Sequence, residues 1–82
     1  MERITQKHLE VMLRAINEKA GFTNPKYSEV GSYTLDWAYG GVKLEKFVNE
    51  YGGVESITSG FSSKKDIMAL MRAFLSGMYT NA

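Results

Sequence analysis

Ile67, Leu70, Met71, Phe74, Leu75 and Met78 recur at i, i+3, i+4, i+7, i+8 and i+11, an apolar stripe at helical period that constrains this chain more than any other feature. Met68, Ala69 and Ala73 widen the stripe, so the segment is too apolar to face water and needs a surface to cover. Ser63 and Asp66 mark its start: a serine three residues before a carboxylate caps a free backbone N–H, and the carboxylate suits the positive end of the helix dipole. The pattern predicts a helix over 63–78, with the tail 79–82 frayed.

A second helical pattern covers 5–20. Thr5 is its N-cap, Leu9, Met12, Leu13, Ile16 and Ala20 form its buried stripe, and Val11 and Ala15 lie on the shoulders. Ile4 and Leu9 have the spacing of a hydrophobic staple, and Gly21 stands where a left-handed closing residue is wanted, with Phe22 placed to fold back over Ile16. Glu10 and Arg14 are a surface pair worth a few tenths of a kcal/mol. Asn24, ahead of the single proline Pro25, cannot continue the helix.

Between the helices the period changes to two. Tyr33, Leu35, Trp37 and Tyr39 alternate with Thr34, Asp36 and Ala38, as in a strand with one face buried. A two-residue turn at Gly40-Gly41 would pair Tyr39 with Val42, Trp37 with Leu44, Leu35 with Lys46 and Tyr33 with Val48. Lys46 interrupts that apolar face; either its stem covers the face, or a bulge nearby re-aims Phe47. Tyr51-Gly52-Gly53-Val54 repeats Tyr39-Gly40-Gly41-Val42 and suggests a second hairpin, with Asn49 opposite Ser56 and Val48 opposite Ile57. Its two-residue form sets Glu50 against Glu55, which favours a longer or bulged turn unless a cation such as Lys43 lies close. Strands are thus expected over 27–39, 42–50 and 53–58. The fold class is α+β: a two-layer α-β-β-β-α domain spanning 1–82, with a three-stranded antiparallel meander and both helices packed on one of its faces.

At 82 residues the chain is near the lower end of what folds alone, burying about two-thirds of its unfolded surface. A net charge of +1 with 23% charged residues argues against a disordered acidic chain and against a strongly basic nucleic-acid arm. There is no cysteine, which removes disulfides and thiolate chemistry and fits a reducing compartment. The run Met1-Glu2-Arg3-Ile4-Thr5 lacks a signal-peptide apolar core and no stretch approaches membrane-spanning length, so a cytoplasmic location without membrane contact is expected.

Catalytic residues, metal ligands and a cofactor are not expected. The lone histidine, His8, falls in the first turn of the first helix, where the stronger reading is a solvated residue. Ser62 or Ser63 with His8 and Asp36 makes a triad only on paper, because no nucleophile-elbow motif accompanies it. Both glycine pairs lead into strand-like sequence rather than a helix with a Lys-Ser/Thr pair, so they read as turns and not as phosphate loops. Tyr33, Trp37 and Tyr39 could stack bases, yet at alternate positions they read as the core face. Ser63, Lys64 and Lys65 at a helix start form a candidate phosphate-binding site. Tyr27, Phe47 and Tyr51 form a candidate partner-binding patch if they lie on the sheet face away from the helices.

Two resemblances add expectations. The helix, three strands, helix order with paired lysines at Lys64 and Lys65 resembles the double-stranded RNA-binding domain, which implies phosphate contacts through the second helix. This chain departs from that family in carrying Ile67 and Met68 where it has alanine and lysine, and only Gly40-Gly41 where it has a longer loop. The runs Tyr39 to Val42, Asn49 to Val54 and Ala73 to Met78 resemble small uncharacterised proteins of tailed bacteriophages and prophages. That resemblance implies an accessory protein of the bacterial host cytoplasm. The expected function is accordingly a non-enzymatic protein-binding module whose partner is a host or phage protein, or a second copy in a homodimer. The alternative is a nucleic-acid binder using Lys64 and Lys65, with Lys7, Lys43 or Lys46 in support.

Overall fold

In the computed structural model, which describes residues 3–80, the chain forms helix α1 (Gln6–Lys19), strands β1 (Tyr33–Ala38), β2 (Gly41–Phe47) and β3 (Val54–Ser56), and helix α2 (Lys64–Thr80). The strands make an antiparallel sheet in the order β1-β2-β3, and the architecture is α+β. Both α1 ends follow from their residues. Thr5 Oγ1 accepts from the His8 N–H at 3.3 Å while His8 Nδ1 accepts from the Thr5 N–H at 3.1 Å, a reciprocal capping box. Gly21, at φ 99°, donates to the Glu18 carbonyl, and the Phe22 N–H donates to the Asn17 carbonyl at 2.8 Å, the bond pair of a Schellman closure.

The helices run in the same direction, packed on each other and on one sheet face: Ile4, His8 and Met12 meet Met68 and Arg72 at one end, and Lys19 Nζ lies 4.5 Å from the Tyr79 ring centre at the other. Between helices and sheet, Leu9, Ile16, Val42, Leu44, Ile67, Met68 and Met71 form the buried core, with Tyr33, Leu35, Phe74 and Leu75 around it. The Tyr33 and Phe74 rings meet edge to face at 5.3 Å. Leu70, expected in this core, is instead 46% exposed, and Met68 takes its place. The buried stripe of α2 is rotated because it must cover α1 as well as the sheet. Ala20 is likewise exposed, as the cap residue of α1. Tyr79 and Thr80 are helical rather than frayed, the Thr80 hydroxyl donating to the Ser76 carbonyl at 2.9 Å; Asn81 and Ala82 lie outside the described residues.

The first hairpin turns at Tyr39-Gly40, not Gly40-Gly41. Both residues have positive φ, 53° and 71°, as a two-residue type I′ turn requires. Gly41 is already in β2, and a Cβ there would lie 3.0 Å from the Ser62 carbonyl oxygen and 3.1 Å from Phe61 Cβ. The second glycine therefore serves packing against the segment entering α2, while Tyr39 tolerates the left-handed position with its ring 5.4 Å from that of Phe61. Leu35 consequently pairs with Leu44, Trp37 with Val42 and Tyr33 with Lys46, a displacement of two from the expected register. An even displacement preserves the faces. The Lys46 stem covers the helix-facing side, its ammonium 5.9 Å from the Tyr33 ring centre, and no bulge interrupts β2 there.

The second hairpin also slips by an even step: Ser56 pairs with Glu45 and Val54 with Phe47, where Asn49 and Tyr51 were expected. The longer turn avoids the Glu50–Glu55 clash and sets Glu55 opposite Lys46. Asn49 holds it, its Oδ1 accepting from Tyr51 N–H at 2.9 Å and Gly53 N–H at 3.0 Å. Val48, expected on the buried face, is exposed in this turn. Beyond β3 the chain bulges, Leu44 O accepting from both Ile57 and Thr58, and rejoins the sheet where Val42 and Ser62 exchange hydrogen bonds. Tyr27 to Ser32 do not extend β1. They form tight turns through Glu29 N–H to Lys26 O and Ser32 N–H to Glu29 O, with Ser28 and Gly31 at positive φ.

Candidate functional site

The sheet face away from the helices carries Thr34, Asp36, Lys43, Glu45 and Phe47, the residues alternating with the core positions. Phe47 lies on that side but is only 5% exposed, so it supplies a floor and not a contact surface. The Tyr27 ring covers it edge to face at 5.3 Å. Tyr27 is itself 84% exposed and Tyr51 88% exposed. Their loops are tied together: Ser28 Oγ donates to the Glu50 carbonyl at 2.9 Å, and the Tyr27 hydroxyl lies 3.6 Å from where a Cβ on Gly52 would be. Of the expected Tyr27–Phe47–Tyr51 patch, Tyr27 packs on the buried Phe47 ring, and Tyr51 stands exposed on the loop tied to that of Tyr27.

Lys64 and Lys65 are exposed in the first turn of α2, neither with an ion-pair partner among the described residues. Ser63 Oγ accepts from the Asp66 N–H at 3.2 Å, so its oxygen is engaged in capping. His8 is the acceptor of the α1 capping box rather than a free side chain. It lies on the helical layer while Asp36 lies on the opposite side of the sheet, so His8, Asp36 and Ser62 or Ser63 are not brought together. Among the described residues no three His, Cys, Asp or Glu side chains converge as a metal site would require.

A polar device at the sheet edge went unread in the sequence. Asn17 is 4% exposed, donates from Nδ2 to the Tyr33 carbonyl at 3.1 Å and accepts at Oδ1 from the Tyr33 N–H at 2.7 Å. A side-chain amide here does what a neighbouring strand would do, satisfying both backbone groups of one edge residue. The available signal was an asparagine, a poor interior helix former, beside Ile16 and four residues after Leu13. Beside it opens a groove of about 280 Å³ between α1, the loop at Pro25 and the start of β1 at Tyr33 and Thr34.

No family model, curated protein or solved structure matches this chain. Among the described residues no helix is long and apolar enough to cross a membrane.

Proposed function

We propose that this chain is a small non-enzymatic protein-binding module that contacts its partner through the Tyr27–Tyr51 corner. The observation that carries the reading is the pair of tyrosines, 84% and 88% exposed, on two loops locked together by the Ser28–Glu50 hydrogen bond. Tyrosine offers a large amphipathic contact area at small entropic cost, and anchoring the loops beforehand lowers the ordering cost of binding. Val54, 41% exposed and paired with Phe47, lines one hollow with Tyr27 and extends the apolar contact. Following the resemblance to small tailed-phage proteins, the partner is a host or phage protein met in the bacterial cytoplasm, with a second copy as the other candidate. Quantitative capture from host lysate and light scattering test this with Y51S, which removes no buried group. The wild type should retain one protein stoichiometrically, or dimerise, and Y51S should lose that at unchanged melting temperature; equal behaviour of both chains would overturn the reading.

A second reading, nucleic-acid binding, has one observation in its favour: Lys64 and Lys65 stand exposed and free of ion pairs, among the described residues, in an α-β-β-β-α element order. Two phosphate contacts give a log–log salt slope of about −1.8 on duplex DNA. The K64E/K65E chain should flatten that slope and lose low-salt affinity for duplex DNA and RNA; unchanged binding would remove the second reading.

A further inference from the structure

We propose that the outer edge of β1 at Leu35 and Trp37 accepts an extended segment of a partner protein as a fourth strand, with a lysine or arginine of that segment facing Asp36. This surface adjoins the tyrosine corner, Tyr27 and Asp36 lining one hollow on the free face, but it engages a partner through the β1 backbone and not through the tyrosine rings.

The hydrogen bonds fix which residues point outward. Val42 and Leu44 direct their backbone groups toward Ser62 and Ile57, on the β3 side of β2. Lys43, Glu45 and Phe47 therefore turn toward β1, as the bond from Phe47 N–H to Ser32 O at 2.9 Å confirms. Their register partners are Asp36 and Thr34, which leaves Tyr33, Leu35 and Trp37 facing outward. Asn17 satisfies Tyr33. The N–H and C=O of Leu35 and of Trp37 have no hydrogen-bond partner among the described residues. They stand at the spacing another strand would match.

Free strand edges are ordinarily guarded by proline, lysine, a bulge or a cover. The stretch Leu35-Asp36-Trp37 has no proline, lysine or bulge, and the Asn17 cover ends at Tyr33. Trp37, 40% exposed on the helix-facing side, and half-buried Leu35 offer apolar contacts to alternate residues of an added strand. On the other side, the ammonium of Lys43, opposite Asp36, is 3.3 Å from the Glu45 carboxylate and 3.3 Å from Ser56 Oγ. Asp36 is left without an ion pair or side-chain hydrogen bond among the described residues. An apolar–basic–apolar segment complements all three residues.

Charge also selects against a second copy. The two-fold antiparallel pairing that uses both Leu35 and Trp37 sets Asp36 directly against its counterpart, like charge on like charge. Sliding one way runs into the Asn17 amide, and sliding the other runs into the left-handed Tyr39-Gly40 turn.

The test is an amide-resolved NMR titration of the full chain with acetyl-Thr-Val-Lys-Val-Thr-amide. The Leu35 and Trp37 amides should shift and their hydrogen exchange should slow with occupancy. Replacing the peptide lysine by glutamate should weaken binding by about fivefold, and D36K should invert that preference. N-methylation of both peptide valines, which removes the donors aimed at the edge, should abolish binding. No shift at Leu35 and Trp37 up to millimolar peptide, or equal binding of the N-methylated peptide, would overturn the proposal. Shifts confined to Tyr27 and Tyr51 would overturn it too, while leaving the corner reading intact; loss of corner binding in Y51S with the edge response retained would separate the two the other way.

Discussion

Asn17 shows how much of this fold turns on one side chain. Its amide replaces a missing strand for Tyr33, and both bonds are partly buried. N17A should therefore cost about 2 kcal/mol, because the lost bonds and the desolvated Tyr33 groups outweigh a gain in helix propensity of roughly half a kcal/mol. N17D should cost more than N17A: it keeps an acceptor for the Tyr33 N–H but sets a carboxylate against the Tyr33 carbonyl. Urea melts of the two variants check the order, and equal stability to wild type would refute it. Residue chemistry was legible where it acts locally, as with Thr5, Gly21 and Ser63, whose capping needs only neighbours a few positions away. The capping role of His8 escaped the sequence because the capping-box template seeks Glu or Gln at the third helical position, where an imidazole nitrogen serves equally as acceptor. Asn17 was unreadable for a different reason: its partner lies 16 residues away in sequence.

Elements were legible in kind and order but not in phase. The six residues picked out along α2 mark a helix correctly, yet which of them are buried depends on what covers the helix, and two surfaces do. With α1 alongside, Met68 turns inward and Leu70 outward. L70K should then change stability by no more than about 0.5 kcal/mol, whereas M68A should cost about 2–3 kcal/mol. Denaturant midpoints at constant m-value test the pair; a large loss in L70K would mean that the stripe lies as its periodicity alone suggests. The hairpins slipped for a similar reason. Glycine pairs mark turns, but Gly41 is held by the backbone at Phe61 and Ser62, and Gly53 by the Asn49 amide, neither of which is a local property. G41A, at an ordinary φ, should lose about 1–3 kcal/mol through that contact, measured by the same melts.

At the scale of the whole molecule, a three-stranded sheet with helices on one face leaves one face and two edges to manage. Glu45, Lys43 and Asp36 keep the free face polar, Phe47 is roofed by Tyr27, and Asn17 closes the first residue of the β1 edge. Past that point a single carboxylate separates an open strand from its own copies. With a net charge of only +1 there is little overall repulsion to keep molecules apart, so that local charge matters more than it would on a strongly charged surface. D36V removes it and adds a β-branched residue to a strand already rich in strand formers. The variant should self-associate through β1, seen as a concentration-dependent rise in mass by light scattering, while D36K stays monomeric under the same conditions. Association of D36V that persists after Leu35 is N-methylated in a synthetic chain would place the contact elsewhere than this edge. A D36V chain that remains monomeric to millimolar concentration would mean that Asp36 is not what keeps copies of this sheet apart.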